Sequence, residues 1–176
     1  RSDSLPSPRL TTILIAPFSK RFLGSNSYDV HLGKWLAMYK DEILDARVHN
    51  KVHFFPIPPD GLILVPSKLY LGVTSEYTET HRHVPFLEGK SSIGRLGIDI
   101  HATAGKGDIG FCNSWTLEIS VRQPVRIYAG VPICQIFYHE ICGHIEEYAS
   151  KYQHNHDIQP SLMFEEFAHH RKRDPQ

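Results

Sequence analysis

The 176-residue chain balances 19 basic against 19 acidic side chains, and this neutrality argues against bulk electrostatic binding to nucleic acid or to an anionic membrane. Its composition, 41% hydrophobic and 22% charged, is that of a soluble globular protein, and no apolar run approaches the roughly 20 residues that cross a bilayer. Cys112, Cys134 and Cys142 are odd in number and show no paired spacing, which speaks against a disulfide framework and for a reducing cytoplasm. Nothing in "RSDSLPSPRL" at the start reads as a signal peptide.

Twelve prolines and twelve glycines break the chain into short runs rich in Val, Ile, Leu, Phe and Tyr, the texture of a β protein. In chain order, "KWLAMYKDEILDA" (34–46) carries the helical reading, a turn or two. "VHNKVHFFPIPPDG" (48–61), with Pro56, Pro58 and Pro59, reads as a connection. "GLILVP" (61–66), "KLYLGVT" (68–74), "WTLEISV" (115–121), "VRIYAG" (125–130) and "ICQIFYH" (133–139) read as strands. The last alternates only weakly, which predicts little solvent exposure on either face. Turn signals every ~8–12 residues predict a sandwich, jelly roll or barrel. The polar tail after Ile145 ends in a stretch, 168–176, that reads as disordered. Residues 1–176 read as one domain, with no linker and no internal repeat.

The stretch "LEGKSSIGRLG" (87–97) gathers Lys90, Ser91, Ser92 and Arg95 among Gly89, Gly94 and Gly97. It is not a P-loop, because the first glycine of that motif would fall on Val84, ahead of Pro85. Two cations, two hydroxyls and permissive glycines can still cradle a phosphate; a solvated surface turn has the same composition. Glu118 lies between Leu117 and Ile119 in an apolar strand, so it either faces solvent or sits in a cleft. Burial would raise its pKa toward general acid/base use. Asp108, in "GKGDIG", is a second free carboxylate or an ordinary turn residue. His139, Cys142 and His144 form H-x-x-C-x-H, poor spacing for zinc, and no metal ligand is expected. His144-Ile145-Glu146 matches half of the zinc deaminase signature, but no P-C-x-x-C follows.

Together these blocks resemble the dCTP deaminase family of the deaminase/dUTPase superfamily. "GKSSIGRLG" resembles its phosphate motif, "IHATAGKGDIGF" (100–111) the next block, and "WTLEI" the block of the catalytic glutamate. "NSYDVHLG" (26–33), "LYLGVTSEYTETH" (69–81) and "SKYQHNHDIQPSL" (150–162) match further blocks in the right order. The resemblance implies an all-β fold, a distorted antiparallel β-barrel of the dUTPase type with minor helix, assembled as a homotrimer with sites between subunits. It implies that residues 146–167 cover the nucleotide. It assigns Glu118 and Ser91 to catalysis. Lys90, Ser91, Ser92, Ile93, Gly94 and Arg95 fall in the phosphate turn, Asp108 falls where the family contacts the deoxyribose, and Ala104 is among the substrate-binding residues. Thr116 and Leu117 would offer backbone groups to the base, while Lys151 and Asn155 come from the covering tail.

The implied reaction is deamination of dCTP to dUTP and ammonia, with Mg²⁺ bound through the substrate triphosphate, no zinc, and dTTP as a candidate inhibitor. A bifunctional enzyme that also cleaves dUTP to dUMP, and a non-catalytic nucleotide binder, remain open. Several positions depart from the family pattern. Lys90 stands in place of an arginine, and Ile145 and His144 stand where a tyrosine precedes Lys151. Asp157 replaces a glycine, which predicts a strained tail turn.

Overall fold

The computed structural model describes residues 13–170 apart from 102 and 154. Its strands are β1 (Ile13–Ala16), β2 (Tyr28–His31), β3 (Trp35–Tyr39), β4 (Val52–Pro56), β5 (Leu62–Leu64) and β6 (Tyr70–Thr80). After them come β7 (His83–Gly89), β8 (Ile98–Asp99), β9 (Asn113–Val121), β10 (Val125–Ile127) and β11 (Pro132–Glu140). Helix is confined to a 3₁₀ turn at Lys20–Phe22, a four-residue α1 (Ser91–Gly94) and α2 (Met163–His170). One sheet runs β4-β3-β6-β9-β8, with β1 also paired to β6; a second runs β2-β11-β7, and β5 pairs β10. The named pairings are antiparallel throughout, as the expected β fold requires.

β9 shows why the fold presents its functional face. Side chains alternate across a strand, so Trp115, Leu117, Ile119 and Val121 enter the core while Thr116, Glu118 and Ser120 face outward. Leu117 and Ile119 are wholly buried against Leu32, Leu36 and Leu64 in one apolar cluster that unites the sheets. The buried carboxylate of Glu76 accepts the backbone N–H of His31 at 2.8 Å and lies 2.5 Å from its ring Nδ1, which locks β2 to β6. At β11 the weak alternation has the predicted meaning through Tyr138, whereas His139 and Glu140 are exposed.

Three expectations are corrected. The stretch 34–46 is not helical; its first half is β3 and its second half an exposed loop. Leu36 and Ala37 are both buried although adjacent, because Leu36 enters the main core while Ala37 packs with Leu71 and Ile158 on the other face. A strand covered on both faces loses the alternation that announces it. The proline-rich stretch 48–61 contains β4, an edge strand paired from Trp35↔Pro56 to Tyr39↔Val52, and an edge tolerates the proline at its end. In the stretch expected to be disordered, residues 168–170 belong to α2. That helix is anchored through its apolar residues, with Phe164 edge-on to His49 and Arg47 over the ring of Phe167. Residues 171–176 lie outside the described part.

Candidate functional site

The outward face of β9 floors a cleft of about 1350 Å³. Glu118 sits mid-strand, paired with Leu71 of β6, and its backbone N–H donates to the Ile100 carbonyl at 2.7 Å. Its carboxylate is exposed within the chain but points into this cleft beside Thr116, so burial by its own subunit is not what distinguishes it. Leu117, between them, contributes only backbone, because its side chain is in the core.

Ala104 and Asp108 reach the rim on a loop laid along β7. The Gly105 carbonyl accepts from Leu87 N–H at 2.7 Å, and Gly107 N–H donates to the Pro85 carbonyl at 2.8 Å. A β-carbon at Gly107 would lie 2.4 Å from the Trp115 ring and 2.9 Å from Pro85. Gly107→Ala is therefore expected to destabilise the fold by about 1–3 kcal/mol, the usual cost of overpacking, seen as a lowered Tm in thermal denaturation. An unchanged Tm would mean the loop is not seated as described.

The C-terminal segment closes one side. Tyr148 N–H donates to the Ile109 carbonyl at 2.6 Å, and its ring packs on Phe111, which packs on Trp115. Farther along, Ser114 N–H donates to the Asn155 carbonyl at 3.1 Å, Gln159 N–H donates to Thr116 Oγ1 at 2.9 Å, and Ile158 is buried. Asn155 and Gln159 both line the cleft. The turn at Asp157 is not strained: its N–H donates to Asn155 Oδ1 at 3.0 Å, a local side-chain turn, and it keeps a negative φ.

The glycine-rich turn lies apart. Lys90, Ser91, Ser92, Ile93, Gly94 and Arg95 do not line the cleft of their own chain. Buried Ile93 seats α1 in the core, Lys90 N–H donates to the Ile133 carbonyl at 3.0 Å, and Ser91, Ser92 and Arg95 are exposed. The Lys90 ammonium is paired with Asp29, whose second oxygen accepts from Gln135 Nε2 at 2.9 Å. From α1 the chain passes straight into β8, which pairs with β9 at Val121 and Ser120. Turn and carboxylate are thus held on one scaffold but not over one another. Lys151 is likewise outside the cleft, bound to Glu166, whose carboxylate raises the ammonium above its ordinary range. His139, Cys142 and His144 are exposed and do not converge; among the described residues Glu79, His81 and Cys112 do.

The family model described as dCTP deaminase-like matches residues 7–141. The chain belongs to the dCTP deaminase-like family. It is 53% identical over 156 residues to the dUMP-forming dCTP deaminase of Clostridium acetobutylicum, covering 88% of this chain and 90% of the relative. The same identity and coverage hold for the protein of that name from Leptospira biflexa. The 2'-deoxycytidine 5'-triphosphate deaminase structure from Agrobacterium tumefaciens shares the fold, with a TM-score of 0.56 at 20% identity over 72% of this chain and 43% of that one.

For a member of the dCTP deaminase-like family, the sequence left parts of the cleft unread. Tyr148 and Tyr152 supply aromatic rings to the cleft. The i, i+4 pair in "EEYASKYQ" was the available signal. Phe111, three residues past Asp108, and Asn113, three before Thr116, also line it.

Proposed function

We propose that the protein converts dCTP to dUMP, ammonia and pyrophosphate. One observation carries this over the dUTP-releasing alternative: relatives 53% identical along 88% of the chain bear the name dCTP deaminase, dUMP-forming. In the proposed reaction Glu118 takes a proton from a water that adds to C4 of the cytosine. The carboxylate then returns protons to N3 and to the amine, which departs as ammonia. A second water attacks the α-phosphorus of the bound dUTP, and the P–O bond to pyrophosphate breaks. Asp108 is proposed to serve this step, a reading supported by its position among the residues that line the cleft. Mg²⁺ enters with the substrate, on its triphosphate oxygens. The C4 chemistry is assigned to the carboxylate, without zinc, with hydrogen bonds from Ser91 and from fixed backbone groups holding the tetrahedral state.

The separation of the turn from the cleft supports a homotrimer in which Ser91, Ser92 and Arg95 of one subunit close over Glu118 of the next. That closure would also supply the burial that Glu118 lacks alone. Light scattering at three times the chain mass is the expected result. dTTP, which differs from dUTP by one methyl group, is proposed to bind the same cleft as an inhibitor.

The deciding assay incubates the protein with dCTP and resolves nucleotides by anion exchange, with CTP and dCMP as controls. Equal yields of ammonia and pyrophosphate, with dUMP as the nucleotide, are expected. Accumulating dUTP without pyrophosphate would replace this reading with the monofunctional one; nucleotide binding without ammonia would replace it with a non-catalytic role.

A further inference from the structure

We propose that Glu79, His81 and Cys112 form a site for one divalent transition metal of the zinc class, separate from the cleft chemistry, which fastens the C-terminal segment to the sheet. Each residue brings a donor atom within 4.8 Å of the others. Glu79 stands at the end of β6, His81 just past it, and Cys112 immediately before β9. A carboxylate, an imidazole and a thiolate are the ligand types that zinc accepts, and their mixed softness disfavours magnesium or calcium. Cys112 lies six residues from Glu118 along the chain, about 20 Å at strand spacing, so the metal would not reach the base.

The surrounding groups orient these donors. The Tyr77 hydroxyl donates to Glu79 Oε1 at 2.8 Å, which leaves Oε2 turned toward the His81 ring, 3.8 Å from Nε2. The other ring nitrogen, Nδ1, lies 3.1 Å from the Glu147 carboxylate. A carboxylate on one imidazole nitrogen fixes the tautomer whose opposite lone pair faces a metal, the usual outer shell of zinc-bound histidine. Glu79 and His81 are partly exposed, giving a route in, whereas Cys112 is buried behind them. Binding exchanges a proton for the metal: the Cys112 S–H bond breaks, a metal–thiolate bond forms, and the proton leaves to solvent. Because Glu147 belongs to the segment that closes the cleft, the metal would tie that segment to β6 and β9 through His81.

The test strips the full-length protein with a chelator and reloads it with Co²⁺ or Zn²⁺. Wild type is expected to show the sulfur-to-cobalt charge-transfer band, to retain about one zinc per chain on dialysis, and to gain about 5–10 °C in Tm at zinc a hundred times Kd. Cys112→Ser and His81→Ala should lose the band and the retained zinc, and Cys142→Ser should keep both. Glu147→Ala should weaken zinc binding about 10–100-fold. Absence of the band in wild type, or its survival in Cys112→Ser, overturns the site. Full zinc affinity in Glu147→Ala overturns the link to the C-terminal segment. If Cys112→Ser fails to fold, Glu79→Gln at its partly exposed position decides the same question.

Discussion

Glu118→Gln is expected to lower deamination of dCTP by at least ~10²-fold, the low end of what a general base supplies, while nucleotide affinity stays within a few-fold of wild type. Glutamine keeps the shape and the place on β9 but cannot accept the proton of water. The substitution is mild for the fold, since the side chain is exposed within its own subunit and its backbone is held by Leu71 and Ile100. Single-turnover ammonia release, measured beside dCTP binding by calorimetry, separates the two properties. Near-normal release would remove Glu118 from the mechanism and direct attention to Asp108.

Arg95→Ala is expected to weaken dCTP binding by about 10–150-fold, the equivalent of the ~1.5–3 kcal/mol carried by hydrogen bonds to a charged group. Among the described residues the Arg95 guanidinium makes no ion pair, whereas Lys90 is committed to Asp29. A side chain left free on a seated turn is available to a triphosphate, and Lys90 cannot substitute for it without breaking its own pair. Calorimetry in a Glu118→Gln background measures the loss without turnover, by comparing that variant with the double variant. Unchanged affinity would return the turn to an ordinary surface loop.

Much of this was legible in the residues. Trp115, Leu117, Ile119 and Val121 alternate with polar neighbours, so β9 and the outward direction of Glu118 follow from period two. The turn at 90–95 was recognisable by its cations and glycines. What stayed hidden depended on contacts distant in sequence. β3 was obscured because Ile158, more than a hundred residues away, covers its second face and makes Ala37 as buried as Leu36. β4 was obscured by prolines that only an edge position tolerates. The strain expected at Asp157 vanished because Asn155, two residues earlier, supplies the turn-closing oxygen. The ligand set of Glu79, His81 and Cys112 has no spacing to announce it, since β6 and β9 are brought together only by the sheet.

The backbone under Glu118 is gripped on both sides, by Leu71 of β6 and by Ile100 just past β8, so evolution cannot easily slide this carboxylate to suit a differently shaped base. Adaptability is left to the parts outside that strand: the loop carrying Ala104 and Asp108, and the strap from Tyr148 to Gln159, which rest on the sheet through loop and side-chain hydrogen bonds rather than a strand ladder. A library seeking altered pyrimidine preference belongs in those two segments, with the strand itself left untouched.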